Sequence, residues 1–145
     1  MELLTTSRLI LQAGPAPWRD LVRQSAALLE RDGIVTADYV EAIFASFARN
    51  GNYMVIAPRV LLAHARPEEG ALRTGLSLIT TSEDVALGDD AGVPVRLFFT
   101  LAAADSSEHL DLLTRLAEVL VDEASFQELL TTTDSDRVLQ MLNPS

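Results

Sequence analysis

The stretch that decides the fold reads Val95-Arg96-Leu97-Phe98-Phe99-Thr100-Leu101. It is almost continuously apolar, and such a run predicts a β-strand that is covered on both of its faces. Shorter β-rich runs precede it, and they are Tyr53-Met54-Val55-Ile56, Val60-Leu61-Leu62 and Gly75-Leu76-Ser77-Leu78-Ile79. Together these runs predict a central sheet with helices packed against it.

Helical periodicity lies on both sides of these runs. Before them, apolar side chains recur on one face after the entry at Pro15 and Pro17, and a second helix is predicted between an N-cap at Thr36 and a stop at Gly51. After them, Asp105-Ser106-Ser107-Glu108 has the pattern of a cap ahead of a long helix. The predicted helices are therefore 18–29, 37–50, one from Asp105 onward, and two shorter ones near 126–130 and 137–142.

The order of these elements predicts a three-layer α/β/α sandwich with a central mixed β-sheet. Its most obvious loop is the acidic turn Asp89-Asp90-Ala91-Gly92. The chain has 145 residues and shows no internal repeat or linker. We therefore expect a single domain that spans residues 1–145.

The composition excludes several classes of function. With 11 basic and 21 acidic residues the formal net charge is −10, so nucleic acid and anionic membrane surfaces would be repelled. No apolar run approaches the ~20 residues of a spanning helix and no export core follows a charged start, so we expect a cytoplasmic protein without direct membrane insertion. The absence of cysteine and lysine removes thiolate nucleophiles, zinc sites with sulfur ligands, Schiff bases and the lysine of phosphate-binding loops.

His64 is the first candidate for chemistry, because an apolar run ends there and a polar loop with Pro and Gly begins. A neutral imidazole is a good nucleophile toward phosphorus when one ring nitrogen attacks and an acceptor holds the N–H of the other. Arg66 follows two residues later, and its guanidinium could donate to phosphoryl oxygens. The alternative is a partly buried histidine that makes only structural hydrogen bonds.

His109 is the second candidate, because it lies in the first turn of the long helix with Asp105 or Ser106 as the predicted cap. The positive end of a helix disfavours an imidazolium, so His109 should tend to stay neutral beside backbone N–H groups that bind anions. A phosphate pocket is one interpretation. The other is that His109 takes part in capping or faces solvent.

The two histidines are on elements that a sandwich could bring together at one end of its sheet. Their spacing does not match a metal motif, so we expect no metal and no cofactor. Ser106 and Ser107 lie close to His109, but the chain contains no G-x-S-x-G elbow, so a serine hydrolase is disfavoured.

Two blocks of this sequence resemble enzyme IIA of the sugar phosphotransferase system, in the mannitol/fructose superfamily (EIIA type 2). Ile56-Ala57-Pro58-Arg59-Val60-Leu61-Leu62-Ala63-His64 is similar to the block around that family's phosphorylated histidine. Leu101-Ala102-Ala103-Ala104-Asp105-Ser106-Ser107-Glu108-His109-Leu110 is similar to the block that carries its second histidine. The string His64-Ala65-Arg66-Pro67-Glu68-Glu69-Gly70, followed by Thr74-Gly75-Leu76-Ser77-Leu78, is most similar to the ascorbate-type branch. The resemblance covers about Trp18 to Leu142.

The resemblance implies a phosphotransferase with a phosphohistidine intermediate. By this resemblance, the carrier protein HPr would donate a phosphoryl group to His64, and His64 would pass it to a cysteine or histidine of an enzyme IIB component. A membrane IIC permease would then move the sugar. His109 would hydrogen-bond the phosphoryl group. Arg66 stays a candidate phosphate contact from its position two residues after His64. The acidic surface suits a carrier with a positive face.

The sequence departs from the family pattern at three positions. Arg59 stands where the family usually has Gly, and Ala63 where it has Pro. Ser46 matches the position of a phosphate-assisting arginine in mannitol-type members. Arg49 lies one helical turn further on, and the resemblance does not transfer that role to it. Strand alternation counted back from His64 places Arg59 on the opposite face, so we expect its guanidinium to face solvent.

A second function remains open at this point. The same fold and the same phosphorylation of His64 could serve a regulatory module that signals nutrient state to a transcription factor or kinase. A homodimer through an apolar helix or strand edge is also expected.

Overall fold

The computed structural model of the chain describes residues 3–50, 54–87 and 93–143. Its strands are β1 (Leu9–Ala13), β2 (Val55–Ala57), β3 (Arg59–Ala63), β4 (Gly75–Leu87) and β5 (Val93–Ala102). Its α-helices are α1 (Trp18–Arg31), α2 (Ala37–Asn50), α3 (Ser106–Val121), α4 (Glu123–Thr131) and α5 (Ser135–Leu142). Short 3₁₀ helices lie at Thr6–Arg8 and Pro67–Glu69.

The strands form one mixed sheet in the order β1-β4-β5-β3-β2. Strand β5 lies inside the sheet, parallel to β3 and antiparallel to β4. At the edges, β1 runs parallel to β4, and β2 runs antiparallel to β3. The prediction of a central mixed sheet is confirmed.

Helices cover both faces of the sheet, as the apolar character of β5 predicts. Phe98 and Phe99 are consecutive residues of β5, both are fully buried, and they belong to different cores because side chains alternate along a strand. Phe98 packs in the core that includes Leu21 of α1 and Ile43 of α2. Phe99 packs in the core to which the last three helices contribute, and these contributions include Leu112, Leu116, Leu129 and Val138. The three-layer α/β/α sandwich is confirmed.

Strand β1 is a part of the sheet that the sequence analysis did not predict. It is a five-residue edge strand whose pairing with β4 shifts register between Ile10 and Ala13. Within the shift, Gln12 has a φ of 56° and its backbone N–H donates to Oγ1 of Thr80 at 2.8 Å. A strand this short and irregular shows no clear alternation of apolar and polar residues. Its conformation depends on pairing with β4.

Strand β4 is longer than predicted, since it continues from Ile79 to Leu87. The polar residues Ser82, Glu83 and Asp84 interrupt the apolar pattern where the pairing with β5 changes register between Thr80 and Val85. The predicted helices agree with α1 to α5, and most of them are longer by one to several residues. Gly51, Tyr53 and the turn 89–92 lie outside the described residues.

None of the helices within 3–50, 54–87 and 93–143 combines the length and the apolar character that crossing a membrane requires.

Candidate active site around His64 and His109

The two histidines meet because β3 and β5 are parallel neighbours. Ala63 at the end of β3 pairs with Thr100 of β5, so both strands finish at the same edge of the sheet. His64 follows β3 directly, and the chain leaving β5 enters α3, whose first turn carries His109. The ring centroids of His64 and His109 are 5.7 Å apart, with 55° between the ring planes. The structure therefore brings together both residues that the sequence singled out.

The tautomer of His64 is set by its own strand. Nδ1 of the ring lies 2.9 Å from the carbonyl oxygen of Leu62. A carbonyl oxygen can only accept, so Nδ1 carries the proton and donates it to Leu62. Nε2 then holds the lone pair, which is the form of imidazole that attacks an electrophile.

His109 is held at the start of α3 by a helix cap. Asp105 is the N-cap residue, and its Oδ1 accepts from the backbone N–H of Glu108 at 2.8 Å, while the backbone N–H of His109 donates to the carbonyl of Asp105 at 3.0 Å. The first-turn N–H groups of Ser106 and Ser107 have no acceptor within the helix. Of the two predicted caps, Asp105 is the correct one.

The pKa of His109 is lowered from its ordinary value, first by partial burial and then by repulsion from His64. A buried imidazolium loses hydration, and a second cation beside it raises its energy further. His109 therefore favours its neutral form, as the sequence predicts, and partial burial and the neighbouring His64 both contribute to this preference.

Tyr39 is a residue of this site that the sequence did not single out. Its ring is fully buried, and its hydroxyl donates to the carbonyl of Leu101 at 2.8 Å and accepts from the backbone N–H of Ala65 at 3.0 Å. A single hydroxyl from α2 thus ties the residue after His64 to the end of β5. Its helical spacing indicated burial, but no local signal indicated where the hydroxyl points.

A pocket of about 620 Å³ opens beside the two histidines. Two arginines reach it, Arg49 from the last turn of α2 and Arg66 from the loop after β3. Ser46, which is buried, also lines it and accepts from Nδ2 of Asn50 at 3.3 Å. The remaining lining residues are Asn50, Ala65, Pro67, Glu69 and Ser106, besides His64 and His109. Nucleophile, N–H donors and guanidinium groups therefore share one cavity.

Arg59 lies at the other end of β3 from His64 and is 44% exposed. Its guanidinium donates to Asp84, with 3.0 Å between Nε and Oδ1. Its φ of 67° is in the left-handed region that favours glycine, which explains why glycine suits this position. Ala63 is buried at the end of β3 and packs against the core under α1 and α2.

Among the described residues, no three or more His, Cys, Asp or Glu side chains form a group that could hold a metal ion. The charges that face the pocket belong instead to arginines and to Glu69.

Residues 2–144 match the sequence profile of the family described as "Phosphoenolpyruvate-dependent sugar phosphotransferase system, EIIA 2". An ascorbate-specific EIIA component of the phosphotransferase system from Shigella dysenteriae is 31% identical over 98% of this chain and 93% of its own length. Similarity at this level extends over both histidine blocks.

Solved structures share the fold. The mannitol-specific cryptic phosphotransferase enzyme IIA of Escherichia coli superposes with a TM-score of 0.85 at 30% identity, covering 98% of each chain. A complex of mannitol enzyme IIA with phosphorylated mannitol enzyme IIB, also from Escherichia coli, contains a chain that superposes with a TM-score of 0.83 at 25% identity, covering 96% of each chain.

Proposed function

This chain belongs to the EIIA type 2 family of the phosphoenolpyruvate-dependent sugar phosphotransferase system, and on that premise we propose that it carries the phosphoryl group on Nε2 of His64. The observation that supports this assignment is the hydrogen bond from Nδ1 of His64 to the carbonyl of Leu62. It leaves the nucleophilic lone pair on Nε2. The same proposal includes the organisation of residues 1–145 as one domain.

The transfer exchanges one bond to phosphorus for another. Nε2 of His64 attacks in line, the bond between phosphorus and the donor's nitrogen breaks, and the donor keeps that electron pair. The proton on Nδ1 stays on the ring, where the carbonyl of Leu62 compensates the positive charge that the ring acquires. In the second step the Nε2–P bond breaks as a cysteine or histidine of enzyme IIB attacks.

Charge stabilisation is the main contribution that a protein makes to phosphoryl transfer. Neutral His109 supplies one N–H donor, and its ring lies beside that of His64 with 5.7 Å between the ring centroids. Arg66 supplies guanidinium donors from the loop after His64. These groups are in place before the phosphoryl group arrives, so little reorganisation is needed.

The partners follow from the family. We propose phosphorylated HPr as the donor and an enzyme IIB component as the acceptor, which acts with a membrane IIC permease. The mannitol enzyme IIA from Escherichia coli forms a complex with phosphorylated enzyme IIB, and this chain shares its fold. The ascorbate-specific relative aligns with 98% of the chain, which supports coupling to ascorbate-type uptake. A purely regulatory role is not favoured, because these relatives are sugar-specific components.

The test is incubation with phosphoenolpyruvate, enzyme I and HPr, followed by measurement of the intact mass. One phosphoryl group should appear that is labile in acid and stable in base, as expected for phosphohistidine. The His64→Ala variant should remain unmodified. Uptake by His64→Ala, or a modification that survives mild acid, would disprove the assignment.

The His109→Ala variant separates the two histidines. It should still accept the group at His64, but more slowly, because one donor to the developing charge is lost. Such a loss costs roughly 10²–10³ in rate in a dry site and less in an exposed one. Unchanged forward and reverse rates would leave His109 with a structural role only.

A further inference from the structure

The arginines of this chain divide into two groups by what their side chains contact. Most donate to a carboxylate or a backbone carbonyl, or stack on a ring. Within residues 3–50, 54–87 and 93–143, Arg49 and Arg66 are the two whose guanidinium groups neither donate to a described group nor stack on a ring. The engaged arginines are Arg8, Arg19, Arg23, Arg31, Arg59, Arg73, Arg96, Arg115 and Arg137.

Both of these arginines line the pocket that holds His64 and His109. In a chain with a net charge of −10, acidic partners for an arginine are abundant, and most arginines have found one. Glu69 is the carboxylate that shares the pocket, and its Oε1 accepts from the backbone N–H of Arg66 at 3.0 Å. The two guanidinium groups therefore bring positive charge to the pocket, and no ion pair with a residue that the structure describes offsets it.

The position of Arg49 on α2 directs it to this site. Ser46, Arg49 and Asn50 are spaced three and four residues apart, so they lie on one face of the helix, and all three line the pocket. Arg49 is also in the last turn of α2, where the helix dipole stabilises a cation. The side chain can thus keep its charge at the pocket without a carboxylate partner.

We propose that Arg49 is a phosphoryl-binding residue of this site, acting with Arg66 from a different element. This inference rests on the proposed function and adds a residue to it. A guanidinium presents a planar fork of donors that matches two phosphoryl oxygens. Two such groups from α2 and from the loop after β3 would hold the oxygens while Nε2 of His64 remains in line with the donor.

Binding of inorganic phosphate tests Arg49 without any transfer step. We would titrate the unphosphorylated protein with phosphate and follow the ring signals of His64 and His109 by NMR. Arg49→Gln should weaken phosphate binding about tenfold, because a hydrogen bond to a charged group is lost. Arg49→Lys should retain part of the affinity, since it keeps the charge but loses the fork.

Arg59→Gln is the matched control, because it removes the same charge from an exposed arginine at the far end of β3. It should leave phosphate affinity unchanged. The same affinity in Arg49→Gln and the unaltered protein, an equal loss in Arg59→Gln, or no phosphate binding by the unaltered protein would each overturn the proposal.

Phosphoryl transfer provides a second measurement. At equilibrium with phosphorylated HPr, Arg49→Gln should carry less phosphoryl group on His64, by a factor similar to the loss of phosphate affinity. If phosphate binds through Arg49 but HPr transfers nothing to the unaltered protein, the proposed function fails and the role of Arg49 stands. If transfer occurs and Arg49→Gln changes neither quantity, the role of Arg49 fails alone.

Discussion

At the scale of single residues, the site depends on which nitrogen of each histidine is protonated. His64 owes its tautomer to the carbonyl of Leu62, two residues earlier on the same strand. His109 owes its preference for the neutral form to partial burial and to the neighbouring His64. A local contact with β3 sets the tautomer of His64, whereas the pKa of His109 depends in part on a residue 45 positions away.

The titration of His109 should report on the state of His64. In the unphosphorylated protein its pKa is lowered, so NMR should give a midpoint below the ordinary value of about 6.5. A phosphoryl dianion on His64 replaces repulsion by attraction, so phosphorylation should raise that midpoint. In His64→Gln the midpoint should rise only partly, because burial is the larger cause. A fall on phosphorylation would contradict this electrostatic account.

The same shift predicts how stability depends on pH. The folded-state pKa of His109 is below the unfolded one, so the unfolded chain binds more protons between the two values. This group's contribution to the free energy of unfolding should therefore decrease as the pH falls below about 6.5, and should be absent in His109→Gln. Denaturant unfolding of both proteins across this range measures the difference.

Arg59 has a backbone conformation that its side chain does not favour. Arg59→Gly and Arg59→Ala both lose the exposed ion pair with Asp84, but only glycine adopts a φ of 67° without a Cβ penalty. The glycine variant should be more stable than the alanine variant by about 1 kcal/mol. Urea denaturation with equal m-values checks this difference. An alanine variant as stable as the glycine variant would refute the argument.

At the scale of elements, the site lies where β3 and β5 end and α3 begins, with α2 beside them. Strand β3 delivers His64, β5 leads to α3 and His109, and α2 contributes Tyr39 and Arg49. The buried hydroxyl of Tyr39 bridges the ends of both strands through Ala65 and Leu101. We therefore expect Tyr39 to position His64 through the backbone of Ala65.

Removing that hydroxyl should affect the rate more than the packing. In Tyr39→Phe the ring still fills its space, but the N–H of Ala65 and the carbonyl of Leu101 lose a partner, at about 1–3 kcal/mol of stability. Looser placement of His64 should slow its phosphorylation by up to about 10²-fold. The measurement is the rate of uptake from phosphorylated HPr.

Thr100→Val is the control for Tyr39→Phe. It removes the buried hydroxyl of Thr100 in β5, which donates to Oγ of Ser25 at 2.8 Å and not to the backbone of Ala65. It should lower stability by a similar amount and leave the rate of phosphorylation nearly unchanged. Equal effects of both variants on the rate would reduce Tyr39 to a core residue.

At the scale of the whole molecule, the net charge of −10 contrasts with the two arginines at the pocket. A long-range negative field attracts a carrier with a positive face, while the local cations receive the phosphoryl group it brings. The organisation as one domain and the formation of a homodimer remain predictions.

The association rate with HPr should therefore depend on salt. Raising the ionic strength from about 0.05 to 0.5 M shortens the screening length, so the rate constant should fall, by a factor between about 10 and 10³ if steering is strong. Stopped-flow measurement at several salt concentrations gives the slope. A rate constant that is independent of salt, or that rises with it, would argue against attraction by the acidic surface.

The sequence by itself determined the layers of the fold and the identity of both histidines. The signals that predicted these features are local: helical periodicity, caps such as Asp105 and the apolar run of β5. Each can be recognised within about ten residues of sequence. His64 and His109 are the chain's two histidines, so there were few candidates for a nucleophile or a base. The sequence blocks that flank them resemble those of one family, which predicted the family of this chain.

Only the tertiary structure decided how the site is completed. Strand β1 exists because β4 pairs with it, and the polar interruption of β4 is tolerated because β5 resumes pairing at Val85. The hydroxyl of Tyr39 meets Leu101, 62 residues away, and Arg49 reaches a pocket formed by residues from other elements. The physical reason is the same throughout, since these groups interact with partners far along the chain, and no local pattern encodes which distant atom a side chain will contact.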